Sequence, residues 1–476
     1  MNQLIQALMN DGVVIGENGM PAHENSGSKL LDAFYNLGAS RAKSDGDILT
    51  FWKEAWKESR LGTLRLAAYN RDIRGGQGER RTFRLFWSWL CKSQPAVAIR
   101  YIPHVPFYGR WDDLYLGAFG TNVWENAVAF IAAALKNKDK LCGKWMPREG
   151  KKHHKIALSF MQMWGMTPKQ YRLLIAGNTD VIETLMCGNR WGEINYNHVP
   201  SQAAQKYRKA FYKHDQVRYA AYVAALARGD KNVKVNAGAI FPHEVLHPLW
   251  NNGYWNFGKV SKQEEQLVIG QWNALPNFVD EGNFLCMTDT SGSMHGTPIE
   301  VSVALSLYLS ERCKGPFKDC FITFSNKPKF QYFKGGDVVS RFKSLQSDGW
   351  DMNTNFEAAL HLILDTAVTN HVPAQDMPNT LLVMSDMQFD QCVRKPSNNA
   401  LQMIEREYQK AGYKRPNIVF WNLRAATGTP VKYDEQGTAL VSGYSPSVMR
   451  TVFKGNTPLQ VLIETLSQER YERIQL

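Results

Sequence analysis

Along the first 280 or so residues the apolar positions recur with the period of a helix. In ERRTFRLFWSWL, Phe83, Phe86, Trp87 and Leu90 fall at i, i+3, i+4 and i+7, the buried stripe of an amphipathic helix, with Arg80, Arg81 and Arg84 on its flank. The same spacing predicts helices in ILTFWKEAWKESR, with Asp47 as N-cap, in VWENAVAFIAAALKNK, in QAAQKYRKAFYK, and in QVRYAAYVAALAR, the last stopped by Gly229. Long Val/Ile-rich runs bounded by turns are missing from this half. The pattern reads as an all-α array of stacked helix pairs, without a fixed-period self-similarity that would name a repeat class.

Near Asn283 short apolar runs begin to alternate with helical ones. NFLCMTD, DCFITFS, KFQYF, TLLVMSD and NIVFWNL read as strands, and a helix is expected from about Pro298 to Cys313. Strands alternating with helices imply a mostly parallel, doubly wound α/β sheet covered on both faces. The expected organisation is therefore multidomain, with an all-α unit over residues 1–282 and an α/β unit over 283–476. The stretch from NNGYWNFGKV to roughly Gly282 is the expected junction.

Composition narrows the function classes. The 476 residues are 44% hydrophobic, enough for two or more packed cores, which excludes a disordered or fibrous chain. The longest apolar run, Ala127 to Leu135, is half of the roughly 18 residues a membrane span needs, and no signal peptide is visible at the start. Seven scattered cysteines, never spaced C-x-x-C, read as reduced thiols, and the expectation is a cytoplasmic monomer with no membrane partner. Lys and Arg number 56 against 44 Asp and Glu, a formal charge of +12, of which +11 falls on residues 1–282 and +1 on the remainder. A polyanion such as RNA is expected to dock on the helical half.

The strongest site signal is DTSGSM. Asp289, Ser291 and Ser293 follow an apolar strand at i, i+2 and i+4, where the carboxyl ends of strands in an open α/β sheet form ligand sites. Three side-chain oxygens on one tight turn can converge on a hard cation such as Mg²⁺. Thr354 in WDMNTNFEAAL and Asp386 at the end of TLLVMSD add a donor and a second carboxylate. The competing reading makes Ser291 and Ser293 caps of the next helix and Asp386 an exposed turn residue.

Other signals are less specific. RDIRGGQGERRTFR sets Arg71, Arg74, Arg80, Arg81 and Arg84 around a glycine turn opening a helix, either a phosphate site or a solvated turn. It is neither a dinucleotide fingerprint nor a P-loop. Arg148 with Lys151, Lys152 and Lys155 of KKHHK forms a second basic cluster, again either a phosphate contact or a solvated loop. FPHEVLHPLW carries H-E-x-x-H at His243, Glu244 and His247, but Pro248 disfavours the helix that a zinc peptidase needs. No G-x-S-x-G occurs.

The set Asp289, Ser291, Ser293, Thr354 and Asp386 resembles the metal-ion-dependent adhesion site (MIDAS) of von Willebrand factor A (vWA) domains. There the serines, and in the open state the threonine, contact the metal, the aspartates act mainly through water, and one position stays open for a partner's acidic group. Over nearly the whole chain, ENGMPAHENSGSKLLDAFYNLGASR, YNRDIRGGQGERR, YGRWDDL, RWGEINYNHVPSQAAQKYRKAFYKHD and SDMQFD resemble an uncharacterised family of plants, large DNA viruses and bacteriophages. That family is similar in architecture to the Ro autoantigen, whose TROVE module is a ring of HEAT-like repeats closed by a vWA domain. The Ro resemblance implies a ribonucleoprotein component without enzymatic activity. RNA ends would lie in the ring's hole and small noncoding RNA on its basic outer face.

Three functions follow as expectations. The first is a noncatalytic RNA-binding protein whose α/β unit holds Mg²⁺ or another divalent cation. The second is a metal-dependent module gripping an acidic protein partner through the vWA site. The third is a zinc peptidase using His243, Glu244 and His247.

Overall fold

The computed structural model describes residues 13–15, 21–251, 254–257, 260–279, 282–324, 327–345, 355–389, 398–425 and 428–476. A short antiparallel pair, β1 (Val13–Ile15) and β2 (Pro21–His23), precedes the helices. Helices α1 (Lys29–Leu37), α2 (Asp45–Glu58), α3 (Arg60–Arg71) and α4 (Arg81–Ser93) follow. The hydroxyls of Ser28, Ser44 and Ser59 cap the first three by accepting from backbone N–H groups, as free first-turn donors require. Ser44, not Asp47, is thus the N-cap of α2. Asp47 lies one turn inside, its own N–H bound to the Ser44 hydroxyl at 3.2 Å.

Two short helices, Pro95–Tyr101 and His104–Tyr108, lead to α5 (Trp111–Ala118), α6 (Trp124–Lys136), α7 (Lys140–Trp145), α8 (His154–Met163), α9 (Pro168–Gly177) and α10 (Ile182–Cys187). The helical half ends with α11 (Ser201–His214), α12 (Gln216–Ala227) and the one-turn α13 (Pro242–Leu246). Gly229, at φ +73°, follows α12 as its periodicity suggests. The expected junction is not a bare linker: it holds a second hairpin, β3 (Trp250–Asn251) and β4 (Tyr254–Phe257), and the 12-residue α14 (Lys262–Asn273). The half read as all-α is therefore helical with two small hairpins.

The α/β half is one six-stranded sheet. Its strands are β5 (Phe284–Thr288), β6 (Cys320–Thr323), β7 (Phe330–Tyr332), β8 (Thr380–Ser385), β9 (Asn417–Asn422) and β10 (Thr438–Ser442). They lie in the order β10-β9-β8-β5-β6-β7, parallel throughout except for β7. This is the doubly wound order, and its topological switch lies between β5 and β8, whose carboxyl ends carry Asp289 and Asp386. Both strands are buried along their whole length, which is why their apolar runs do not alternate. Helix α15 (Thr297–Arg312) packs on β5 and β8.

The halves are closely joined. Helix α1 packs on β10, the Ser442 hydroxyl donates to the Phe34 carbonyl at 2.7 Å, and the Gln77 amide donates to the Ser442 carbonyl at 3.1 Å. The last helix, α16 (Glu469–Glu472), returns to α3, where Arg470 and the Tyr471 hydroxyl converge on buried Asp72. One apolar cluster accordingly runs from Leu31 to Ile474, while a second, from Ile194 to Leu267, is built mainly around α11 and α12.

Candidate functional site

Two sites emerge. At the carboxyl end of β5, Asp289 is fully buried; its Oδ1 accepts the Ser291 N–H at 2.9 Å and its Oδ2 the Ser385 hydroxyl at 2.5 Å. The Ser291 and Ser293 hydroxyl oxygens stand 3.0 Å apart. Asp386, 3% exposed, accepts the Gln388 N–H at 3.1 Å, so it is no exposed turn residue. Nor do the serines cap α15: its N-cap is Gly296. Burial, and then the charge of Asp386, push the Asp289 carboxyl up to about 6. A buried carboxyl whose ionisation the neighbouring Asp386 charge opposes, with paired hydroxyls beside it, forms a donor set that a divalent cation would relieve and that fits Mg²⁺ chemistry. Thr354 lies outside the described residues. From the loop after β9, the Arg424 guanidinium donates to the Ser293 carbonyl and stays exposed at the rim.

The second site is a cavity of about 690 Å³ within the helical half, between the turn entering α4, the ends of α5 and α7, and the start of α11. Its walls carry Arg41, Arg71, Arg80, Arg81, Arg110, Lys144 and Lys206, against Glu79, Glu183 and Glu244. Several of these cations are already committed. Arg71 is buried and donates to Asp113 at 2.8 Å; Arg84 reaches Asp113 at 2.5 Å and Asp112 at 2.8 Å. Burial alone would raise the Asp113 carboxyl, but the two arginines hold it below its ordinary value. Arg81 binds Asp45 and the Lys43 carbonyl, Arg110 binds Asp112 at 2.8 Å, and Arg41 binds Glu79 at 2.8 Å. Burial lifts the Glu79 and Glu244 carboxyls above their usual range.

Arg71, Arg81 and Arg84 are therefore not free phosphate ligands: the carboxylates of Asp113, Asp45 and Asp112 hold them, through contacts 28 to 42 residues away in sequence. Arg74 is exposed and outside the cavity wall. Arg80 opens to the cavity with no ion pair among the described residues, and its pKa is lowered by desolvation and by the like charges of Arg110, Arg71 and Arg84. It begins α4 with no side chain capping the first-turn N–H groups. Lys144 and Lys206 likewise have no ion pair among the described residues; each lies by an aromatic ring, Trp145 at 5.7 Å and Tyr207 at 4.9 Å. Pattern reading missed Arg41, Arg110, Lys144, Lys206, Trp145 and Tyr207, which only the fold gathers.

Arg148, Lys151 and Lys152 are exposed on the loop entering α8 and Lys155 is exposed in its first turn, all away from the cavity wall. The His153 ring, within that loop, lies 6.4 Å from the Tyr115 ring, which places the loop beside α5. The H-E-x-x-H residues do not converge. His243 is buried against the Tyr444 ring, Glu244 accepts the Phe241 N–H at 2.8 Å, and His247 Nδ1 lies 2.9 Å from Glu300. Helix α13 ends at Leu246, as the proline demands, and among the described residues no group of three His, Cys, Asp or Glu could hold a metal. Nor is any described helix long and apolar enough to cross a membrane.

Residues 283–473 match the model of a family described as Domain of unknown function (DUF7788), and residues 16–108 and 170–283 match that of Domain of unknown function (DUF2828). The chain is 27% identical over 508 aligned residues to "Uncharacterized protein L728" of Acanthamoeba polyphaga mimivirus, covering 94% of this chain and 86% of that protein. Among solved structures, the Ro (RSR) protein of Deinococcus radiodurans is similar at 14% identity and a TM-score of 0.47, over 90% of this chain and 100% of that one.

Proposed function

We propose that this chain is a noncatalytic RNA-binding protein: the helical half holds RNA phosphates at the cationic cavity, and the α/β half carries a divalent cation at Asp289, Ser291, Ser293, Thr354 and Asp386. The observation that carries the reading is Arg80, Lys144 and Lys206 standing around one cavity without ion pairs among the described residues. Unpaired cations on a concave wall lower the free energy of a polyanion and release its counterions on binding. The Tyr207 ring on the same wall is of the kind that stacks with bases, while the Trp145 ring already carries the Arg110 guanidinium 3.8 Å above its centroid. The Ro resemblance of the sequence implies the same activity, in a ribonucleoprotein.

The test is to purify the full chain at low salt with Mg²⁺, read the 260/280 nm absorbance ratio, and titrate labelled structured and single-stranded RNA at several salt concentrations. Affinity falling steeply with salt supports the reading; protein that ignores RNA at low salt overturns it.

A second reading has its own observation. Arg424 sets a guanidinium on the rim of the Asp289 loop, where an acidic side chain completing the metal's coordination would meet a second positive charge. That reading makes the chain a metal-dependent binder of an acidic protein, expects a partner released by EDTA and lost with Asp289→Ala, and fails if capture is indifferent to both.

A further inference from the structure

Tyr35, on α1 of the helical half, is fully buried, and its hydroxyl has no hydrogen-bond partner among the described residues. A buried hydroxyl left unmatched costs stability, and folded chains rarely keep one without a use. Tyr35 stands close to the carboxylate loop. Its carbonyl accepts the Asn422 amide at 3.1 Å, and Asn422 is the register partner of Ser385, the residue before Asp386. The Ser385 hydroxyl in turn donates to Asp289 at 2.5 Å. Tyr35 therefore enters at the carboxyl end of β9, next to the switch point that carries both aspartates. Burial, and after it the charge of Asp386, push the phenol well above its ordinary value, so it keeps the proton it can donate.

The loop itself carries a second buried hydroxyl without a partner among the described residues, that of Thr290 between Asp289 and Ser291. Hydrogen-bonding capacity is thus left open around the loop from both halves of the chain. We propose that the Tyr35 hydroxyl belongs to the cation site as a positioning group: it donates to the Asp386 carboxylate, directly or through a water of the ion's shell, so that the helical half supplies one piece of the site carried by the α/β half. This rests on the cation reading above and extends it, because ion affinity then depends on α1 being docked on β10.

The test is Tyr35→Phe in the full chain, which deletes the hydroxyl and keeps the ring. Titration with Mn²⁺ by calorimetry should show affinity about tenfold weaker, the size of one hydrogen bond to a charged group. Urea unfolding in EDTA should respond differently: without an ion the hydroxyl is an unmatched buried group, so its removal leaves the midpoint equal or higher. A tyrosine that served packing alone would leave ion affinity where it was. Tyr219→Phe is the matched control, since the Tyr219 hydroxyl on α12 is likewise buried with no partner among the described residues and lies in the other apolar cluster. Its loss should leave Mn²⁺ affinity unchanged. Wild-type affinity in Tyr35→Phe, an equal weakening in Tyr219→Phe, or a lower midpoint of Tyr35→Phe in EDTA overturns the inference and leaves the cation reading standing. A wild-type chain that binds no Mn²⁺ overturns both.

Discussion

The salt dependence of RNA binding is where the two kinds of cavity cation separate. A cation already neutralised by a fixed carboxylate releases little counterion from a phosphate it approaches, because its charge is locally balanced. An unpaired one releases about 0.7 of an ion per phosphate on a single strand. Arg80, Lys144 and Lys206 are the cations at the cavity wall with no ion pair among the described residues. Changing all three to Gln should lower the slope of log affinity against log salt by about 2. Between 50 and 200 mM salt, the wild type's advantage over this variant should then shrink roughly twentyfold. Arg81→Gln, which removes a guanidinium bound to Asp45, should move the slope far less. Anisotropy titrations at four salt concentrations suffice. A triple variant with the wild-type slope would refute the placement. If the slope fell instead on changing Arg148, Lys151, Lys152 and Lys155, the contacts would belong to the exposed basic stretch at the start of α8.

Other perturbations test the frame. Asp113→Ala removes the partner that Arg71 and Arg84 share and leaves Arg71 buried and unpaired, so urea unfolding should show a loss of about 3–5 kcal/mol; a loss under about 1 kcal/mol would contradict the buried network. Burial, followed by Arg41 and His247, depresses His243 to about 3, so the folded chain holds it neutral while the unfolded chain protonates it from about pH 6.5 downward. Stability should therefore fall by up to about 1.4 kcal/mol per pH unit as pH drops from 6.5 toward 3, and His243→Asn should flatten that limb; identical pH profiles would refute it. Asp289→Ala should abolish Mn²⁺ binding by calorimetry while leaving RNA affinity measured in EDTA unchanged, and retained Mn²⁺ binding would show that the metal is held elsewhere.

The elements that sequence made legible are those whose periodicity is set by burial on one scale. The stripe of Phe83, Phe86, Trp87 and Leu90 became α4, and the fully apolar runs before Asp289 and Asp386 became the two central strands, because a two-sided sheet leaves no polar alternation. What stayed hidden depended on distant partners. Ser44 rather than Asp47 caps α2 since either oxygen could serve, and only the chain's direction at entry decides between them. Strand β10, TALVS, is as long as β5 but is not among the strands read from the sequence, and it owes its place to β9 and to α1 packed on it. The arginines of RDIRGGQGERRTFR looked equivalent, yet Arg71 is buried on Asp113, 42 positions away, and Arg80 is open. Its glycines serve packing: a Cβ on Gly76 would stand 1.9 Å from the Tyr69 carbonyl oxygen, so the turn closes only around glycine.

The two sites are physically contiguous through the segment that follows β9. Leu423 N–H donates to the Ser385 carbonyl and Arg424 to the Ser293 carbonyl, both beside Asp289, whereas the Asn422 amide donates to the Tyr35 carbonyl and Ala425 N–H to the Ala39 carbonyl. Ser40 and Arg41, the next residues along, are part of the cavity wall. Four consecutive residues thus tie the carboxylate loop to the strip of chain bearing Arg41. Contiguity is not coupling: energy passes between the sites only if this segment has two arrangements that each ligand weights differently. Linkage makes that distinction measurable with an internal check, since a factor by which Mg²⁺ changes RNA affinity must equal the factor by which RNA changes Mg²⁺ affinity. Removing the Arg424 side chain should bring a nonunit factor toward one from both directions together, and a change in only one direction would mean that the variant had altered a site rather than the connection.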